Sequence, residues 1–215
     1  MDINVKINRI IQKNNLEAVA TIDLENMIKI PNVRIIRGEH GLFLGYPQRD
    51  NNNLIEFEET EEGKELKKEI QNTVVDSYNK ALEDNNLIGY GNGYDEEDKE
   101  ILKDLAKDNL DKIQVSMNPE DSHGKQKASG EIVLDNKMVL KGIRIMSAED
   151  GKLFVTMPSE SYEQEGKTKY KDIFYPLTAD VRENIAQKAQ ESYSKNVVAM
   201  ENSEIPKEED QEEER

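Results

Sequence analysis

Three lysines, Lys167, Lys169 and Lys171, alternate in the segment KTKYKD. On an extended strand, alternate side chains share one face. Three ammonium groups on one face can contact successive phosphates, and Tyr162 and Tyr170 are close enough in sequence to stack on bases. The same alternation also suits a sheet edge, where lysines block pairing with other chains. The spacing leaves both readings open.

Other chemistry is easier to exclude. His40 and His123 sit in unrelated loop contexts, one beside a glycine turn and one in Ser-His-Gly, and neither has a positioned partner in sequence. No Gly-x-Ser-x-Gly, His-Glu-x-x-His or phosphate-loop pattern occurs. With 0 cysteines there is no disulfide framework and no thiolate metal site. The stretch Gly89-Tyr90-Gly91-Asn92-Gly93 precedes a candidate helix, but Asp95, Glu96, Glu97 and Asp98 at that helix start would repel a phosphate, so it reads as a flexible linker. The chain is expected not to be an enzyme, with no catalytic residues, no metal ligands and no cofactor.

The lysines stand out against an acidic background. The 215 residues carry 29 Lys+Arg and 45 Asp+Glu, a formal charge of −16. Bulk electrostatics cannot hold such a chain to nucleic acid, because affinity for phosphates depends on basic residues displacing counterions. The excess is concentrated, however. Residues 83–112 carry a net −6 and residues 201–215 another −6, whereas the remaining segments nearly balance. The tail ENSEIPKEEDQEEER has little to bury and is expected to be disordered. No stretch is apolar enough to span a membrane and no secretory leader is evident, so a soluble cytoplasmic protein is expected.

Around the lysines the chain is duplicated. A shift of 110 residues aligns 3–41 with 113–151 without a gap, and 11 of 39 positions are identical, among them Ile22/Ile132, Leu24/Leu134, Asn26/Asn136, Arg34/Arg144 and Gly41/Gly151. GLFLGYP (41–47) then meets GKLFVTMP (151–158), and Leu66, Ile70, Ser77 and Tyr78 meet Val181, Ile185, Ser192 and Tyr193. Each copy opens with alternating apolar residues (Ile3, Val5, Ile7; Ile113, Val115, Met117) and continues through the turn candidates Glu25-Asn26 and Asp135-Asn136. Each closes with an amphipathic helix, over roughly 60–82 and 177–195, the second with Thr178 as N-cap after Pro176. The expected class is α+β: two tandem copies of a small antiparallel β-sheet domain with a C-terminal helix. The expected division is 1–82 for the first, divergent repeat and 83–111 for an acidic, glycine-containing connector with a short helix. Residues 112–198 form the second repeat and 199–215 the acidic disordered tail.

The second copy resembles the septation and sporulation regulator SpoVG (stage V sporulation protein G). The resemblance rests on Ile143-Arg144-Ile145, Gly151, Leu153-Phe154-Val155, Met157-Pro158-Ser159, Lys171-Asp172-Ile173, Pro176-Leu177 and the helix with Arg182, Ile185 and Tyr193. It covers roughly 127–195 and, more weakly, 18–80. It implies a small sheet domain with a C-terminal helix, usually a homodimer joined through strands. It further implies binding to DNA, in some members RNA, in the control of septation, sporulation or gene expression. In that family basic residues follow Met-Pro-Ser and line the loop and helix. Here Glu160 follows Ser159, and the bases left are Lys167, Lys169 and Lys171 with Arg182 and Lys188 on the helix. In the first copy Arg49 follows Tyr46-Pro47-Gln48, while IEFEETEEG replaces the expected Asp-Ile and His-Pro stretch.

Lys167, Lys169, Lys171, Tyr170, Arg182, Lys188 and Arg49 are therefore the candidate nucleic-acid-binding residues. Arg34 and Arg144, set between apolar residues at the same point of each copy, suit a carboxylate partner at least as well as a phosphate. The expected partners are a nucleic acid and, within the chain, the two repeats for each other. A homo-oligomer of such pairs is left open, and no membrane partner is expected. The alternative is an interaction or scaffold module that keeps the fold and has lost nucleic-acid binding.

Overall fold

The computed structural model describes residues 1–83, 106, 108–120 and 124–204. The expected connector helix, the Gly89–Gly93 stretch, His123 and the tail from 205 onward lie outside the described residues.

The first repeat opens with three long strands, β1 (Ile3–Lys13), β2 (Leu16–Leu24) and β3 (Ile28–Gly38), and the shorter β4 (Gly41–Gly45). A small hairpin of β5 (Gln48–Arg49) and β6 (Asn52–Asn53) follows, then β7 (Ile55–Phe57) and helix α1 (Glu61–Glu83). After a 3-10 turn (Leu110–Lys112) the second repeat runs β8 (Ile113–Pro119), β9 (Gln126–Leu134), β10 (Met138–Ser147) and β11 (Leu153–Thr156). Then come β12 (Ser159–Gln164), β13 (Lys167–Asp172), β14 (Tyr175–Pro176) and helix α2 (Ala179–Glu204). The class is α+β, as two tandem β-rich repeats each closed by a helix.

Local chemistry explains the turns. Glu25 and Asn26 have φ of 52° and 53°, as do Asp135 and Asn136. Asn and Asp tolerate this left-handed region, which Glu25 also adopts here, and it matches the right-handed twist of flanking strands in a tight hairpin. The Met27 N–H closes its turn onto Leu24 O at 2.9 Å and the Lys137 N–H closes the equivalent onto Leu134 O at 3.0 Å. Thr60 and Thr178 cap the helices: their Oγ1 atoms accept from Gly63 N at 3.1 Å and Val181 N at 3.3 Å. Helix α2 runs nine residues beyond 195, so 199–204 are helical and not tail. From 195 to 204 the segment has no glycine or proline to break the helix, and the next proline is Pro206.

Each repeat lends a strand to the other's sheet. The outer edge of β3 is shared by β4 at one end and by β14, from the second repeat, at the other, where Ile28 faces Pro176 and Lys29 faces Tyr175. The outer edge of β10 is shared in the same way by β11 and by β7 from the first repeat, with Met138 opposite Phe57 and Leu140 opposite Ile55. Ile28 and Met138 are equivalent under the 110-residue shift, so the exchange is reciprocal. Ion pairs run between the repeats beside it: Lys141 with Glu56, and Lys112 with the buried Glu25 at 3.1 Å. The buried residues of both repeats form one continuous core, from Ile22, Ile35 and Tyr78 to Ile132, Phe174 and Ile185.

The helices cover their own sheets. Helix α1 buries Leu66, Ile70, Val74 and Tyr78. Helix α2 lies along β8, an outer strand of its sheet whose backbone groups need partners. Ser192 Oγ accepts from Met117 N at 3.0 Å and Asn196 Nδ2 donates to Met117 O at 2.7 Å.

Candidate nucleic-acid interface

Strands β12 and β13 form a two-stranded hairpin that belongs to neither main sheet. Every residue of β13 is exposed. Its base is closed by the Ile173 N–H donating to Pro158 O at 2.9 Å, and its tip turns through Glu165 and Gly166, both left-handed, at φ 54° and 71°. The hairpin is thus an arm anchored at Met157-Pro158 and projecting from the second repeat.

Register divides the arm into two faces. Cross-strand partners share a face, so Lys171 and Glu160, Lys169 and Tyr162, and Lys167 and Gln164 lie together. The other face carries Ser159 and Asp172, Ser161 and Tyr170, and Glu163 and Thr168. The first face has a net charge of +2 and the second −2. Lys171 pairs with Glu160 at 3.2 Å and lies 5.9 Å from the centroid of the Tyr162 ring. Lys169 donates to Gln164 Oε1 at 2.8 Å. The three lysines therefore do share a face, and Tyr162 shares it with them. Tyr170, 71% exposed, points the opposite way and cannot serve the same strand of nucleic acid. Strand period separates it from its neighbours Lys169 and Lys171.

The remaining candidates divide. Arg182 is exposed on the first turn of α2. Lys188 is not available: its ammonium donates to Leu110 O at 2.7 Å and Ile113 O at 2.6 Å, and burial holds its pKa below the ordinary lysine value. It ties α2 to the start of β8. Its position on the stripe of Val181, Ile185 and Ser192, at helical spacing, is the signal that marks it as inward-facing. Arg49, on β5, lies where β5 packs against β12, at the foot of the arm. Arg34 and Arg144 face Gly45 and Thr156 across their strands, and neither has a carboxylate within ion-pair distance among the described residues, so the expected carboxylate partner is absent there.

Two copies of one sheet-and-helix unit, each with its short apolar strand before a proline, define the comparison. The family model for SpoVG matches residues 1–80 and 110–195. The chain belongs to the SpoVG family. A septation protein SpoVG of Fusobacterium nucleatum is 33% identical over 73 residues, which is 34% of this chain and 74% of that protein. Those of Clostridium botulinum strain Alaska E43 and Agathobacter rectalis are 33% and 32% identical over 76 and 77 residues, covering 35% and 36% of this chain and 79% and 84% of theirs. No solved structure matches. Each relative spans about the length of one SpoVG repeat, whereas this chain carries two.

The SpoVG repeats have diverged in their polar interiors. In the first, Glu17 accepts from Arg37 Nε at 2.6 Å and from the Tyr78 hydroxyl at 2.7 Å, an arrangement that pins α1 to β2 and β3. The hydrogen bond from Arg37, then that from Tyr78, holds the Glu17 carboxyl below its ordinary value. The second repeat has Lys127 and Ser147 at the positions of Glu17 and Arg37. No helix among the described residues is long and apolar enough to cross a membrane, and no cluster of metal-ligating side chains occurs among them.

Proposed function

We propose that this SpoVG chain is a regulatory nucleic-acid-binding protein that engages DNA, with RNA as a second class of target, through the lysine face of the β12–β13 arm. The observation that carries the reading is the segregation of charge on that arm: Lys167, Lys169 and Lys171 stand together with Tyr162, opposite an acidic face. Such a ribbon presents three ammonium groups to phosphates and one aromatic ring to a base. The relatives bear the name of septation proteins, and a role in septation, sporulation or the gene control associated with them is the biological setting we infer. The protein acts in the cytoplasm and performs no catalysis in this reading.

The reciprocal exchange of β7 and β14 supports the idea that one chain does the work of a pair of single-repeat subunits. A mobility-shift titration with double- and single-stranded oligonucleotides, at low and at physiological salt, tests the proposal. Binding that weakens with salt supports it. Absence of any shift at low salt rejects it.

The Lys171–Glu160 ion pair favours a second reading, an interaction module in which part of the lysine face is already neutralised. It predicts no oligonucleotide shift and a protein partner recruited through the arm.

A further inference from the structure

The exchange of strands brings two arginines of different repeats together. Arg49 stands on β5 of the first repeat, and its Nη2 lies 3.6 Å from where a Cβ on Gly142 of β10 would be. Pro158 Cβ and Leu54 Cδ1 lie 3.4 and 3.5 Å from the same point, ordinary contact distances, and the φ of +91° at Gly142 is a backbone conformation that favours glycine. Arg144 is two residues further along β10. Both residues are half-buried. Burial and the nearby charge of Arg144 hold Arg49 below the ordinary arginine value, against the opposing effect of Asp50. No carboxylate pairs with either arginine among the described residues.

Two like charges held together without a carboxylate in ion-pair contact cost free energy that an anion would recover. A planar guanidinium fork can donate to two oxygens of a phosphate group at once. We propose that Arg49 and Arg144 form a phosphate-binding site between the repeats, at the foot of the lysine arm. The site deepens the nucleic-acid reading and rests on it only for the source of the phosphate.

It is also single. In the repeat alignment Arg144 corresponds to Arg34, but Arg49 corresponds to Glu160, which carries the opposite charge and pairs with Lys171. A symmetric pair of subunits would present two such sites, whereas this chain presents one. A polyanion would therefore enter from one end, where the paired arginines and the arm lie side by side.

Inorganic pyrophosphate, titrated against the full chain at fixed ionic strength, is the probe, and the melting temperature is the readout. At about ten times its dissociation constant the wild type should gain about 3–6 °C. Arg49→Gln and Arg144→Gln should each raise the melting temperature without pyrophosphate and lose the response to it. Arg34→Gln should keep the response. An unresponsive wild type, a response that survives Arg49→Gln, or one lost equally in Arg34→Gln overturns the site. The Lys167→Ala/Lys169→Ala/Lys171→Ala variant should keep the pyrophosphate response. If no form binds oligonucleotide while this response persists, the nucleic-acid reading fails and the phosphate site stands, for a free phosphate ligand.

Discussion

Leu177 of the second repeat donates its backbone N–H to the Met27 carbonyl of the first at 2.8 Å. Glu58 of the first repeat repays it at the equivalent place, donating to the Lys137 carbonyl of the second at 2.9 Å. The two bonds mark the ends of exchanged strands and stand at equivalent places of the two repeats. Neither sheet is complete without residues from the other repeat. The repeats should therefore unfold together. Ile55 is buried where β7 joins β10, and Ile55→Asp places an unpaired charge there. Calorimetry should show one transition in the wild type and a single, lowered transition in the variant. Two separated transitions, one of them unmoved, would refute this joint unfolding.

The Glu17 network makes an acid-dependent contribution. Its folded pKa is depressed from the ordinary 4.5, so the stabilisation is present above that value and is lost as pH falls below it. Glu17→Ala leaves the buried Tyr78 hydroxyl without its acceptor and should cost about 1–3 kcal/mol at pH 7. Chemical denaturation across pH should show the gap to wild type narrowing below about pH 4.5. At the alkaline end, burial and Glu17 raise the Tyr78 pKa. A group raised in the folded state loses its contribution as pH rises above about 10, the ordinary tyrosine value.

Gly130 is constrained by packing. A Cβ there would lie 2.1 Å from Ser116 O and 2.4 Å from Met117 Sδ. Gly130→Ala should destabilise the protein by about 1–3 kcal/mol through overpacking, visible as a lower denaturation midpoint. The equivalent first-repeat residue is Ala20, fully buried without difficulty.

Lys188 and Arg182 should separate in function. Lys188→Ala removes the donor to Leu110 O and Ile113 O and should lower the melting temperature, with little change in oligonucleotide affinity per folded molecule. Arg182→Ala, on the exposed side of α2, should leave the melting temperature unchanged. Parallel thermal and anisotropy measurements check both.

Much of this was readable in the residues because period and turn chemistry are local. Alternating Ile3, Val5 and Ile7, the Glu25-Asn26 and Asp135-Asn136 turns, and the Thr178 cap each depend on neighbours within a few positions. The lysine face was legible for the same reason: strand period fixes it once β13 exists. The destinations of β7 and β14 were not, since Ile55–Phe57 and Tyr175–Pro176 are too short to declare their partners. The Arg49–Arg144 juxtaposition depends on that exchange and was equally hidden. Tyr170 lies on the face opposite the lysines because strand period, not nearness in sequence, sets the side. Lys188 is a base on an inward-facing helical stripe, and its ammonium is used on Leu110 O and Ile113 O.

We propose that the lysine face of the arm binds nucleic-acid phosphates. The most direct test is the salt dependence of duplex binding by fluorescence anisotropy, for wild type and for Lys167→Ala/Lys169→Ala/Lys171→Ala. Each phosphate contact contributes about −0.9 to the slope of log affinity against log salt on duplex DNA. The variant should bind more weakly, with a slope shallower by about two to three. A variant with the wild-type affinity and the wild-type slope would contradict the account.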